Sequence, residues 1–232
     1  VPEAFRKINN VDGSFAPLSD IPVFDDVESG LESGWSYGPR PFRYVNDSDR
    51  DLMPDEMHAN WAGEKIKDLE QREGDQPFFL GVGFVKPHTP LYAPQKYFDM
   101  FPLDEIEVPA WLEEDAEDCF YTSVYPDSDV GLYYFQALKE AYPEGDIGLK
   151  KFMQAYMACV AFVDDQVGVV VDALDKSKFK DNTIVILTSD HGWQMGQKDY
   201  LYKNSPWEAG TRIPLLVRDP YHSKPGSEVR HP

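Results

Sequence analysis

Residues 183–218, TIVILTSDHGWQMGQKDYLYKNSPWEAGTRIPLLVR, decide how the rest of the chain is read. Their opening, Ile184-Val185-Ile186-Leu187, is a short apolar run rich in β-branched side chains. Such a run reads as a buried strand of a parallel sheet. It stops at Ser189-Asp190-His191-Gly192. An acid and an imidazole at the carboxyl end of a strand stand where open α/β sheets place their ligands. Lys203 comes twelve residues after His191, followed by Glu208-Ala209-Gly210-Thr211-Arg212 and a second apolar run from Ile213 to Val217.

Two readings of Asp190-His191 compete. Taken alone, Asp190 caps the next turn and His191 is a packed polar residue, since side-chain caps at strand ends are common. Taken with the cationic residues that follow, Asp190 and His191 ligate a divalent cation and Lys203 meets an anion beside it. A hard cation takes carboxylate oxygen readily, and imidazole is a more general ligand.

The whole string resembles the sulfatase family of the alkaline-phosphatase-like superfamily, and within it the iduronate-2-sulfatase and choline-sulfatase branch. The matching residues are Ser189-Asp190-His191-Gly192, Gly196, Lys203, Glu208 and Arg212-Ile213-Pro214-Leu215. A second matching block, PFFLGVGFVKPHTP, spans residues 77–90, and a third, YMACVAFVDDQVG, spans residues 156–168. The three blocks keep the family's order, and the resemblance covers roughly residues 50–220.

The resemblance implies an α/β fold: a mixed, mostly parallel sheet flanked by helices, incomplete at its amino-terminal side. It implies a sulfuric ester hydrolase acting on a sulfated glycan or another small sulfate ester. Asp190 and His191 would be two of the metal ligands, with Ca2+ the expected ion and Zn2+ or Mn2+ the alternatives. Lys203 would bridge sulfate and the nucleophile. His88 would hold a sulfate oxygen or help protonate the leaving group, and Lys86 is a further candidate for substrate contact. The family's nucleophile is a formylglycine made from Cys or Ser in a Cys/Ser-x-Pro/Ala-x-Arg motif. No such motif occurs here: Cys119 is followed by Phe-Tyr-Thr-Ser and Cys159 by Val-Ala-Phe-Val. The expectation is a partial catalytic domain, inactive by itself, whose nucleophile lies in a segment outside the chain. The alternatives are a phosphodiesterase or phosphonate hydrolase of the same superfamily, or a non-catalytic anion-binding fragment.

Composition limits the choices. With 232 residues, 42% of them hydrophobic, the chain can bury a core. Its formal charge of −19 argues against a nucleic-acid partner, which needs clustered Lys and Arg. The same charge opposes an anionic substrate at long range, so any anion site must be local and cationic. No apolar run approaches the ~20 residues of a membrane helix. The chain begins at Val1 with no leader pattern and reads as a piece of something longer, so its compartment is not legible. The family's habit would be periplasmic or secreted.

The rest follows in order. Residues 1–54 are an irregular lead-in, with a short strand expected between Leu18 and Phe24 and a solvated acidic turn at Asp25-Asp26. A recognisable core spans 55–220. Pro54-Asp55-Glu56 starts a helix, in which Met57, Trp61, Ala62, Ile66 and Leu69 recur at helical spacing and which Gly74 ends. Phe78 to Val85 reads as a second buried strand that delivers His88 to the edge where Asp190 should stand. Residues 91–146, rich in Pro, Asp and aromatics, read as an inserted loop at the substrate rim. Ile147 to Leu174 is the clearest helix. Its Asp164-Asp165 is read as a solvated face or a cap to a neighbouring loop. Helix and following strand together suggest a right-handed βαβ unit. Cys159 reads as a packed hydrophobe, Cys119 as an exposed one.

Overall fold

A computed structural model describes residues 15–20, 36–37, 40–110, 112–120, 129–222, 226 and 228. The strands are β1 (Phe15–Pro17), β2 (Ser36–Tyr37), β3 (Arg40–Pro41), β4 (Tyr44–Asn46), β5 (Asp49–Arg50), β6 (Leu91–Ala93), β7 (Val185–Thr188) and β8 (Leu215–Arg218). The helices are α1 (Pro54–Glu70), α2 (Gln95–Phe98), α3 (Val130–Ala141), α4 (Ile147–Asp175) and α5 (Glu208–Thr211). The strands pair two by two: β1 with β6 in parallel, and β2 with β3, β4 with β5 and β7 with β8 antiparallel.

The 29-residue helix α4 is the axis of the core. Leu149, Phe152, Ala155, Ala158, Cys159 and Phe162 are all buried, at spacings of three and four that make one face of a helix. Ala155, Ala158 and Cys159 are small, so neighbouring backbone can approach closely, and Leu91, Tyr92 and Ala93 of β6 share the buried cluster with them. The Cys159 thiol donates to the Tyr92 carbonyl at 3.6 Å. Phe15 of β1 meets Phe152 edge to face at 5.5 Å, and Tyr97 of α2 meets Phe162 in the same way.

Helix α1 forms where its start was expected. The Glu56 side chain accepts from the Met53 amide at 2.7 Å and receives both terminal nitrogens of Arg50 at 2.7 Å. Its buried stripe is Asp55, Ala59, Ala62 and Ile66. Met57 and Trp61, expected on that stripe, are 49% and 45% exposed; Ala59 takes a buried place that the large residues were expected to fill. On α4, Asp165 accepts the Tyr97 hydroxyl at 2.6 Å and faces Lys96 at 3.5 Å, the contact to a neighbouring segment that its position implied.

Several expectations need correction. Phe78 to Val85 forms no strand. Its side chains alternate between half-buried and exposed, as an extended chain requires, but no ladder partner lies beside it among the described residues. Phe79 is 98% exposed. Strand β7 does form, yet its partner β8 runs antiparallel and Ile186 is 63% exposed, so neither the buried position nor the βαβ unit expected there is present among the described residues. An apolar run needs a covering layer to become a buried strand, and none of the described elements covers this one. The inserted loop at 91–146 contributes core: β6 is fully buried, as are Tyr134 and Phe135 of α3. Cys119 is buried, and both cysteines are free thiols. Leu18–Asp20 is a short 3-10 turn. Ile21 to Phe24, Asp25-Asp26, Trp111, Tyr121 and Tyr125 fall outside the described residues. No described helix is long and apolar enough to cross a membrane.

Candidate functional site

Strand β7 ends at Thr188, whose hydroxyl donates to the Pro214 carbonyl at 3.0 Å, and the chain then turns through Ser189 to Gly192. Asp190 accepts the His191 amide at 3.0 Å, and the Ser189 hydroxyl donates to the His191 carbonyl at 2.9 Å. These short-range bonds belong to the turn-capping reading, and they hold the two candidate side chains side by side. The His191 Nε2 lies 3.5 Å from Asp190 Oδ2, and its Nδ1 lies 2.8 Å from the Gly192 carbonyl. The Asp190 side chain is 86% exposed, so it is open to a ligand.

The turn is bolted to the segment that follows it. Gly192 donates its amide to the Gly210 carbonyl at 2.9 Å. A Cβ on Gly192 would stand 2.2 Å from the Ala209 carbonyl oxygen, so only glycine permits this approach. Gln194 is wholly buried: its amide nitrogen donates to the Gln197 carbonyl at 3.1 Å, and its carbonyl oxygen accepts the Ser205 hydroxyl. Lys203 is half-buried on the same loop, its Nζ 5.8 Å from the Tyr202 ring centre. Desolvation, the largest single influence, raises the Asp190 carboxyl, but the His191 ring, backbone amides and the Lys203 charge together outweigh it and hold the group below the usual carboxylate range.

Asp190 and His191 are thus in contact, whereas Lys203 reaches Asp190 only through its charge, the weakest of these influences, with no hydrogen bond or ion pair to either among the described residues. His88 stands on another loop, its Nδ1 2.6 Å from the Thr89 carbonyl, and among the described residues no hydrogen bond or ion pair joins it to Asp190. The loop after β7 rests on α4 through Trp193, whose ring lies 6.3 Å from Phe152 and 6.4 Å from Tyr156; strand β6, which follows the His88 loop, meets α4 through the Tyr92 carbonyl on Cys159. Tyr156 and Cys159 are three residues apart, about 4.5 Å along the helix axis.

Lys86 has a different place from the substrate contact expected. It is 5% exposed, and its ammonium donates to the carbonyls of Pro90 and, at 3.4 Å, His88. Burial pushes its amine below the ordinary lysine range, against the pull of Cys159 and Asp55. The substrate-rim expectation for 91–146 keeps one element of support: the segment 112–120 docks on the loop that carries Lys203. Lys198 Nζ meets Asp115 at 2.9 Å and Asp118 at 3.2 Å, and Asp199 accepts the Ala116 amide at 3.2 Å.

As a metal site the described residues are incomplete. The Asp190 carboxylate and His191 ring fit one edge of a divalent-cation shell, whereas calcium takes about six to eight oxygen ligands. Among the described residues no group of three or more His, Cys, Asp or Glu side chains converges to hold a metal ion. Sequence reasoning also missed Asp55, which is 1% exposed and accepts the Val85 and Lys86 amides at 2.7 and 2.9 Å. Its sequence context marks only a helix start, and a partner 30 residues away leaves no local signal.

The described layers form part of an alkaline-phosphatase-like α/β fold. The phosphonate monoester hydrolase of Agrobacterium radiobacter superposes with a TM-score of 0.52 at 30% identity, over 71% of this chain and 33% of that one. A family profile described as Sulfatase matches residues 23–232, and the chain belongs to that family. A sulfatase of Formosa agariphila is 40% identical over 170 residues, covering 73% of this chain and 32% of its own length. The iduronate 2-sulfatase of Mus musculus is 34% identical over 191 residues, covering 78% and 33%. The chain spans about a third of the length of these relatives.

Proposed function

We propose that the chain carries the anion-contacting and part of the metal-contacting machinery of a sulfuric ester hydrolase. The observation that carries this reading is the Asp190–His191 pair with the Lys203 charge beside it, on a loop that Gly192 locks in place. Membership of the sulfatase family supports it. In this reading Lys203 neutralises a sulfuryl oxygen, and His88 holds another or protonates the departing alkoxide. Asp190 and His191 contribute to a divalent-cation shell, calcium first and zinc or manganese as alternatives. Such a cation, when bound, withdraws charge from the sulfuryl oxygens. The substrate class is a sulfated glycan or small sulfate ester; one relative is named for iduronate 2-sulfate hydrolysis. The formylglycine nucleophile is supplied from outside the 232 residues, so the chain by itself is expected to turn over no aryl sulfate.

Titration calorimetry with inorganic sulfate and with calcium chloride tests this. Wild type is expected to bind sulfate, and Lys203→Ala to bind it roughly tenfold more weakly, the scale of one charge-assisted hydrogen bond. Asp190→Ala is expected to lose calcium binding while keeping the wild-type circular dichroism spectrum. Equal sulfate binding by wild type and Lys203→Ala would contradict the role given to Lys203. Turnover of an aryl sulfate by the chain alone would contradict an external nucleophile. A second reading, phosphonate ester hydrolysis, draws on the likeness to the Agrobacterium radiobacter enzyme. Two bound transition ions in metal analysis would favour it over one calcium.

A further inference from the structure

Among the described Asp, Glu, Lys and Arg residues, two lying outside the proposed site are buried: Asp55 at 1% and Lys86 at 5% exposure. Burying either charge without compensation is costly, so each must be matched by polar groups. The partners are informative. Both Asp55 oxygens are used on backbone, Oδ1 on the Val85 amide at 2.7 Å and Oδ2 on the Lys86 amide at 2.9 Å. Asp55 is also in the first turn of α1, where the helix dipole favours a negative charge. The Lys86 ammonium reaches forward and donates to the carbonyls of His88 and Pro90. One carboxylate thus fixes the chain entering the loop, and one ammonium fixes the carbonyls on and beyond His88. The His88 amide closes the turn onto the Val85 carbonyl at 2.8 Å.

The segment just before this loop has no such support. Residues 79–84 lack a ladder partner among the described residues, and Phe79 is 98% exposed. A histidine at the end of such a segment would wander unless something other than a sheet held it.

We propose that Asp55 and Lys86 are positioning residues: a buried two-ended clamp that holds the His88 imidazole in place from α1. Lys86 contacts no substrate in this arrangement. It acts through the main chain that presents His88. The clamp stands on geometry alone; only its consequence for sulfate rests on the reading of His88 as an anion contact.

Lys86→Met tests the clamp, since methionine fills a buried slot of similar length but donates no hydrogen bond. In the full 232-residue chain, the His88 ring resonances are expected to shift and broaden, while those of His222, paired with Asp219 at 3.0 Å, stay put. A merely structural lysine would leave the His88 ring signal unmoved in the folded fraction, and that result overturns the proposal. With inorganic sulfate as probe, Lys86→Met is expected to bind roughly tenfold more weakly. A moved ring signal with unchanged sulfate affinity would keep the clamp and refute the anion role of His88. Should Lys86→Met fail to fold, hydrogen exchange on the wild type decides. The Val85 and Lys86 amides are expected to exchange at least a hundredfold more slowly than those of Phe79 and Gly81, a difference on the order of the protection that separates core from mobile segments. Equal exchange across all four overturns the clamp.

Discussion

At the scale of single residues, the site depends on contacts that leave no room for adjustment. Gly192→Ala would drive a methyl into the Ala209 carbonyl at 2.2 Å. Overpacking of this kind costs about 2 kcal/mol. For a chain of this size that lowers Tm by roughly 4–8 °C, and calorimetry would show it; an unchanged Tm would mean that the turn gives way freely. The cysteines make a second prediction. Cys159 is fully buried and its thiol is pushed up to about 11, chiefly by burial, with Asp55 adding and Lys86 opposing. Cys119 is 8% exposed. A thiol titration near pH 8 should therefore find almost no reactive cysteine in the native chain and two after denaturation. Asp190, His191 and Lys203 stand out in the sequence as candidates because a continuous string carries them. Asp55 and Lys86 do not, because a clamp between residues 30 apart writes nothing into either local sequence.

At the scale of elements, helices were easier to read than strands. Helix α4 is announced by its own periodicity, and α1 by Pro54, Asp55 and Glu56 at its start. A strand is defined by its neighbour, and for Phe78 to Val85 the described residues contain none. The run was apolar enough to promise a strand but could not say what would lie beside it. The docking of residues 112–120 on the loop after Gly196 was equally hidden, since it joins acids and a lysine 80 residues or more apart. It makes a pH prediction. The hydrogen bond from Lys198, then that from Cys119, hold the Asp118 carboxyl below its ordinary value of 3.8. A depressed carboxylate stabilises the folded contact above its unfolded pKa and loses that contribution as pH falls through the lower folded value. As pH falls below the ordinary aspartate value of 3.8 the Ala116 amide resonance should move as the contact loosens. In Lys198→Met the movement should shift up toward the ordinary aspartate range; an identical profile in both proteins would remove Lys198 from the contact.

At the scale of the whole molecule, two large terms oppose each other. Among the described residues the β7–β8 ribbon is apolar and exposed, with Ile186 at 63%, Leu215 at 69%, Leu216 at 56% and Val217 at 51%, and Phe79 is 98% exposed as well. Contiguous apolar surface favours association. The charge of −19 opposes it by mutual repulsion. Raising salt from about 0.01 M to about 1 M shortens the screening length from about 30 Å to about 3 Å, so the repulsion should fade first. Light scattering is expected to report growing assemblies with salt, and a monomer throughout would show that the ribbon is covered in solution. The buried parallel pairing that is present joins β1 and β6, whereas the apolar runs at 78–85 and 184–187 have no covering layer among the described residues. What the fold does supply is a helix, α4, against which the loop after β7 rests through Trp193 and strand β6, next after the His88 loop, rests through Tyr92, at positions about one turn apart. The account stands or falls on those loops acting as one anion site. The most direct measurement is a titration of the 232-residue chain with inorganic sulfate, followed through the ring resonances of His88 and His191. Parallel, saturable shifts in both rings with one shared Kd, and none in His222, are the expected result. A His191 response with His88 silent, or shifts no larger than those of His222, would contradict it.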